Sequence, residues 1–486
     1  MTLKIKSGTS VDAILLAVVK CMTTILGLLT VRIISDNFTY SEYGTYNQAI
    51  LIASSISSIT ILGFTDATNY YFNKFSSEKK SQEEYLSTIV IFQLCVGVIV
   101  CIFLILTQNS ISDLMDNKEL RGLIKWVALT PLLSNIIAIQ QILFISIGKS
   151  KIIALRNFVI SILKLFAVLL SVYFTKSIVT ILAALLIFDI IQMFYFSAFL
   201  SRYGIQIHLK LFNLKNLRYI LSYSLPLALF IVTNALMRET DKYIVSIFSN
   251  SENFAIYSNA SRILPFAIIV DAFTTVLIPF ITKCLHSNLL EKLVTTYKSY
   301  LNFSFVVMWI FITGAIISSS ELMELLYGDK YVIGLPIFIT YLLVSLVKFA
   351  NFSFIFSCAG QTKIILKTSV IALLANIILS LLLYYMIGPI GCAIATLIVS
   401  IWVAFYYFYK TKTILNISPC QLIDFRTVFR IILQSLLVAV ALYLLNMLLD
   451  DMYYVVRLVL TYGLYVLVLV VLNKELLKRY LVELNN

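Results

Sequence analysis

The chain has 486 residues, 60% of them hydrophobic and 13% charged, with a net charge of +13 at neutral pH and a mean hydropathy of +0.95. Soluble globular proteins carry about 25% charged residues, and no hydrophilic stretch is long enough for a separate soluble domain of about 50 residues. The composition excludes a soluble enzyme and reads as an integral membrane protein whose chemistry lies within helices or on short loops.

A bilayer core about 30 Å thick takes roughly 20 apolar residues in helical form. On that measure the sequence predicts helices over 11–34, 44–65, 85–107, 121–147, 152–174, 178–200, 218–245, 254–282, 299–319, 332–358, 364–387, 390–409, 427–449 and 453–473, about fourteen in all. The first holds the run AILLAVVKCMTTILGLL (13–29). It is too long for a signal-peptide core and lacks a small-residue cleavage site, so it reads as a retained helix. Lys20 interrupts the run; at the bilayer centre such a charge costs roughly 2.5–3.5 kcal/mol and faces protein or water rather than lipid. Thr24 at i+4 and Gly27 at i+7, with Thr23 beside them, place it on a polar stripe.

Loop charge sets the orientation, because Lys and Arg stay on the cytoplasmic side. With the N-terminus inside, the even-numbered connections and the termini hold 24 basic residues, among them Lys4, Lys6, Lys74, Lys149, Arg156, Lys298, Lys363, Arg430 and Arg479. Five (Lys118, Arg121, Lys176, Lys242 and Lys330) lie on or beside the odd-numbered connections. Adding Arg32, Lys125 and Arg457, near outer helix ends, makes eight. The outer loops are acidic, with Asp113, Asp116, Glu119, Glu321, Glu324, Asp329, Asp450 and Asp451. Both termini are therefore expected in the cytoplasm, and topology rather than nucleic acid accounts for most of the basic excess.

The phrase YGTYNQAILI (43–52) opens the second helix and FAIYSNASRI (254–263) the eighth, aligning Tyr46 with Tyr257 and Ala49 with Ala260 at an offset of 211. IGKSKII (147–153) matches AGQTKII (359–365) at an offset of 212. Two matches at nearly one offset, both at corresponding helix ends, read as a parallel repeat of two six-helix halves, 1–208 and 209–412, followed by two further helices in 413–486. Parallel halves place a transported substrate between them near the midplane.

Several predicted helices carry polar residues at helical spacing. The fifth has Asn157, Ser161, Lys164 and Ser171; the sixth Asp189 and Gln192; the seventh Asn234, Arg238 and Asp241; the eighth Asn259, Arg262 and Asp271; the tenth Ser345 and Lys348. The cations Lys20, Lys164, Arg238, Arg262 and Lys348 outnumber the acids Asp189 and Asp271, and a basic, hydrated cavity favours an anionic passenger such as a phosphate or pyrophosphate. Each has a plainer reading as well. Lys20 could snorkel, Arg238 to Lys242 could mark the outer end of the seventh helix, and Lys164 could pair with Asp189 inside the bundle.

Enzymatic signatures are weak. The two histidines, His208 and His286, lie on connections, which excludes a His-rich metal site. GKS at Gly148–Ser150 lacks the preceding P-loop glycine, since position 143 is Leu143. The seven cysteines have no metal-type spacing and read as free thiols. No cofactor is expected.

YSEYGTYNQ (40–48), LGFTDATNYYF (62–72), SYSLPLAL (222–229) and AIYSNASRI in the eighth helix together resemble the Wzx-type oligosaccharide-lipid flippases of the multidrug/oligosaccharidyl-lipid/polysaccharide (MOP) exporter superfamily, over nearly the whole chain. The resemblance implies a MATE-like, V-shaped, two-lobed transporter of the bacterial inner membrane. It would flip an undecaprenyl-pyrophosphate-linked oligosaccharide, for O-antigen in lipopolysaccharide, capsule or a similar polymer, to the outer leaflet. Its partners would be that substrate, membrane lipid, and a polysaccharide polymerase and chain-length regulator. In the cavity of such a transporter Lys20, Lys164 and Arg238 would meet the pyrophosphate; the polar stripes add Arg262 and Lys348 as candidates for substrate contact and Asp189, Asp241 and Asp271 for ion coupling or charge pairing. A cation-coupled drug exporter of the same superfamily is the alternative, and the excess of base over acid weighs against it.

Overall fold

The computed structural model describes residues 7–287, 289–447 and 453–485. Lys4, Lys6, Asp450 and Asp451, counted above among the loop charges, lie outside them. The described residues form helices and connections without a strand. In chain order the helices are α1 (Ser7–Asn37), α2 (Tyr40–Thr60), α3 (Phe64–Lys74), α4 (Lys79–Leu114), α5 (Leu120–Val127), α6 (Thr130–Ser146), α7 (Ser150–Phe174), α8 (Ile178–Arg202), α9 (Leu214–Phe248), α10 (Ser251–Ala260) and α11 (Ala267–His286). They continue with α12 (Leu290–Ile317), α13 (Ser319–Tyr327), α14 (Leu335–Val347), α15 (Phe354–Cys358), α16 (Thr362–Ile387), α17 (Pro389–Lys410), α18 (Lys412–Leu415), α19 (Phe425–Met447), α20 (Tyr454–Leu458), α21 (Leu464–Leu472) and α22 (Lys474–Asn485). Fourteen segments are long and apolar enough to cross a membrane, as the hydropathy predicts.

Local chemistry explains where several spans start and break. Thr39 and Glu42 form a reciprocal capping box at the start of α2, satisfying two backbone donors that have no partner within the helix. α2 ends at Thr60; Leu62 and Gly63, both in the left-handed region (φ 51° and 69°), turn the chain into α3, which carries the span to Lys74, well past the predicted end at 65.

The eighth and tenth spans correct the sequence reading, which drew one continuous helix through each. The eighth is interrupted between α10 and α11, where Pro265 has no N–H to offer the helix and its ring collides with the preceding turn. The tenth unwinds between α14 and α15, with neither Gly nor Pro to mark the place. There the Asn351 N–H donates to Tyr300 Oη at 3.0 Å and Ser353 Oγ donates to Asn351 Oδ1 at 2.9 Å, so side chains replace the helical bonds.

Ile99, Ile102, Phe103 and Leu106 of α4 are large, exposed and spaced i, i+3, i+4 and i+7, one continuous face turned to lipid. The helices gather into two compact units, 1–258 and 259–486. In the first, α1 packs along α7, and α9 lies against α2, α3 and α4. Its main core joins Phe64, Ile89, Phe144, Ile153, Phe196 and Ile220. In the second, α12 is central, touched by α11, α14, α19, α21 and α22, around Phe303, Ile310, Ile431, Tyr465 and Tyr480.

Candidate functional site

In the first unit Lys20 is exposed on α1. Thr23 and Thr24 turn their hydroxyls onto the Lys20 carbonyl at 3.0 and 2.7 Å, so the threonines of the expected stripe are partly spent on the helix backbone. Lys164 and Asp189, on the fifth and sixth spans, are brought together: Nζ lies 2.6 Å from Oδ1, both side chains partly exposed. On α9, Arg238 is exposed, and α9 runs ten residues beyond it to Phe248. Lys242 pairs with Glu239 at 2.8 Å. Asp241 is only 1% exposed and accepts a 2.6 Å hydrogen bond from Tyr257 Oη on α10. Among the described residues no ion pair joins Lys20 or Arg238 to an acid.

In the second unit Arg262 sits in the break between α10 and α11, half-buried, and Asp271 is exposed on α11. Lys348 is exposed and occupies the C-cap of α14, where the tenth span unwinds. Broken membrane helices carry free backbone groups that are tolerated where they line a cavity or are buried in protein, so both basic residues stand at positions suited to polar contact.

Sequence reasoning missed two features. Arg156, counted as a loop charge, is 4% exposed. It donates through Nε and Nη2 to Asn157 Oδ1 at 3.2 and 3.0 Å and through Nη2 to Gln141 Oε1 at 3.1 Å, and it lies 5.4 Å over the Phe196 ring. Its Nη1 makes no hydrogen bond. Position seven in α7 is too close to a helix end for hydropathy to separate a buried arginine from a topological one.

The second is the contact of α9 and α10 with α2. Ser41 and Ser251 hydroxyls meet at 3.0 Å, and Gln48 Nε2 donates to Ser246 Oγ at 3.1 Å. Asn117 Nδ2 donates to Gln48 Oε1 at 2.6 Å and to Thr45 Oγ1 at 2.8 Å. The backbones approach so closely that a Cβ at Gly44 would lie 1.9 Å from the Ser251 carbonyl oxygen. Toward the other end of the second span, Tyr70 stacks on Tyr223 at 4.5 Å, and Lys74 lies 5.5, 5.9 and 5.4 Å from the Tyr70, Tyr71 and Phe75 rings. α9 is thus held to the second span at both ends.

A family model described as "Polysaccharide biosynthesis protein" matches residues 31–335. No curated protein sequence matches the chain. Among solved structures, the lipid II flippase MurJ in an inward closed conformation superposes with a TM-score of 0.75 at 20% identity, over 95% of this chain and 99% of that one. An inward-facing multidrug resistance MATE family transporter of the MOP superfamily gives a TM-score of 0.67 at 15% identity, over 83% of this chain and 98% of that one. A MOP superfamily transporter from Pyrococcus furiosus, described as having a binding pocket of reverse polarity, gives a TM-score of 0.61 at 14% identity, over 83% of this chain and 94% of that one. These likenesses establish the fold.

Proposed function

This chain belongs to the polysaccharide biosynthesis protein family, and from that premise we propose that it flips an undecaprenyl-pyrophosphate-linked oligosaccharide from the inner to the outer leaflet of the bacterial inner membrane. Its fold is that of the MOP-superfamily transporters, and the chain is a multi-pass membrane protein. The repeated halves 1–208 and 209–412 alternate access, both termini are cytoplasmic, and the polyprenyl tail stays in lipid. The Gly44, Gln48 and Ser41 contacts of α2 with α9 and α10 form one of the closures that must part in each cycle. A polysaccharide polymerase and a chain-length regulator receive the product.

The observation that carries this reading is the pair Lys20 and Arg238, exposed on apolar spans and joined to no acid among the described residues. A cation so placed costs free energy in lipid, and a hydrated path carrying a pyrophosphate offsets that cost. Lys164 is already neutralised by Asp189, so Lys20 and Arg238 make the primary contacts, with Arg262 and Lys348 at the helix breaks assisting. Asp189, Asp241 and Asp271 serve in charge pairing or ion coupling. The drug-exporter alternative needs acids open to a cationic substrate; Asp189 is ion-paired and Asp241 buried, which leaves Asp271 as the exposed one of the three.

The test replaces Lys20 and Arg238 singly with Ala and with Glu and measures surface polysaccharide at matched protein levels. Loss of polysaccharide, deeper for Glu than for Ala, is expected; full activity in all four variants would contradict the assignment.

A further inference from the structure

The second unit contains a cavity of about 440 Å³ lined by residues from three places in the chain: Lys298, Ser299 and Asn302 of α12, Gln421 and Asp424 before α19, and Arg479, Tyr480 and Glu483 of α22. They lie in the first half of the ninth span, just ahead of the thirteenth and just beyond the fourteenth. An even number of crossings separates these points, so all three lie on one face of the membrane, whichever way the protein is oriented. Its volume falls within the range of small-ligand sites.

The lining is built and charge-balanced. Asn302 Nδ2 donates to the Leu422 carbonyl at 2.9 Å and its Oδ1 accepts from the Asp424 N–H at 3.0 Å, which fixes the segment before α19 onto α12. Ser299 Oγ donates to the Glu483 carboxylate, which docks α22 on the same helix. Arg479 Nε lies 3.3 Å from Glu483, and Lys298 makes no ion pair among the described residues. Two cations and two carboxylates therefore face one small space. Tyr480, in the same wall, is 2% exposed; with Thr427 beside it, its hydroxyl still makes no hydrogen bond of normal geometry among the described residues. A buried hydroxyl left this way carries an unmet desolvation cost that a ligand atom would relieve.

Immediately beyond Asp424, Phe425 and Phe429 stand 60% and 70% exposed at i and i+4, one apolar face at the start of the thirteenth span. A free anion would meet the two carboxylates and a simple cation the two bases. A ligand carrying both charges meets partners for each.

We infer that this cavity binds a zwitterionic phosphoethanolamine headgroup, its phosphate toward Lys298, Arg479 and the Tyr480 hydroxyl and its ammonium toward Asp424 and Glu483, with the acyl chains along Phe425 and Phe429. The site lies outside the proposed transport path and is independent of the oligosaccharide substrate. Occupied, it pins α22 to the ninth and thirteenth spans, so bound lipid raises the melting temperature.

The test uses the full-length protein in nanodiscs holding equal amounts of phosphatidylethanolamine and phosphatidylglycerol, released and weighed by native mass spectrometry. The wild type is expected to retain phosphatidylethanolamine preferentially. Tyr480→Phe keeps the ring in the core and removes one hydrogen bond, cutting retention about fivefold, and Lys298→Ala with Glu483→Gln cuts it about tenfold or more. Soluble O-phosphoethanolamine that competes the lipid off supports the shared headgroup chemistry. Equal retention of phosphatidylglycerol, unchanged retention in a folded Tyr480→Phe protein, or binding of the soluble compound without any retained lipid would each overturn the inference.

Discussion

Lys164 Nζ lies 2.6 Å from Asp189 Oδ1, tying the fifth span to the sixth. Two charges that would each be expensive in an apolar span become one neutral pair, and truncating either leaves the other exposed to that expense. Lys164→Ala and Asp189→Ala should each lose stability by ~1–3 kcal/mol, and the double variant should lose less than the two combined. Thermal unfolding in detergent, run as a double-mutant cycle, reads the coupling directly. Additive losses would show that the pair contributes no mutual stabilisation.

The Gly44 position supplies a second expectation. Any side chain there collides with the Ser251 carbonyl, so Gly44→Leu should separate α2 from α10 and abolish polysaccharide export while the protein still reaches the membrane. In a background lacking the seven native cysteines, Ser41→Cys with Ser251→Cys should crosslink on oxidation, given the 3.0 Å between the hydroxyls. Export should stop and return on reduction. A crosslinked protein that exports normally would show that this contact does not open during transport.

Arg156 is held by Asn157 and Gln141, with no acid paired to it among the described residues. Arg156→Lys keeps a buried charge but loses the guanidinium fork, at ~1–3 kcal/mol. Arg156→Met removes the charge altogether and should be the less destabilised of the two. Melting temperatures of the two variants, compared with wild type, check the order.

Asp424 lies just ahead of the thirteenth span. Burial alone would raise its pKa, but hydrogen bonds from Thr427 and the fields of Lys298 and Arg479 outweigh that and hold it below the usual carboxylate value. A depressed native pKa adds stability that is fully present above the unfolded value of about 3.9 and is lost as pH falls through the folded one. Asp424→Asn should therefore melt lower than wild type at neutral pH, with the gap closing at acid pH. A gap independent of pH would locate the effect in packing rather than charge.

Much of the fold was legible because membrane spans write themselves as apolar runs, although the break in the eighth was passed over despite Pro265 standing in it. The break at Lys348–Ser353 was not legible, because it depends on Tyr300, 51 residues away in sequence, accepting the Asn351 N–H. Pairing of Lys164 with Asp189 was open from sequence, since both residues fit facing positions on adjacent spans, but distance decides it. The burial of Arg156 and the close approach at Gly44 were invisible as well. The approach at Gly44 joins segments about 200 residues apart, Arg156 stands near a helix end where a buried and a topological arginine look alike, and neither changes local hydropathy.

The central claim is leaflet-to-leaflet movement of a pyrophosphate-linked oligosaccharide guided by Lys20 and Arg238. Its most direct measurement reconstitutes the protein in liposomes with a fluorescent undecaprenyl-pyrophosphate oligosaccharide and follows accessibility of the sugar to an external, membrane-impermeant glycosidase. Wild-type protein should raise the accessible fraction well above that of protein-free liposomes, and Lys20→Glu with Arg238→Glu should return it to that baseline. Folded wild-type protein that moves no more substrate than empty liposomes, or a double variant as active as wild type, would contradict the account.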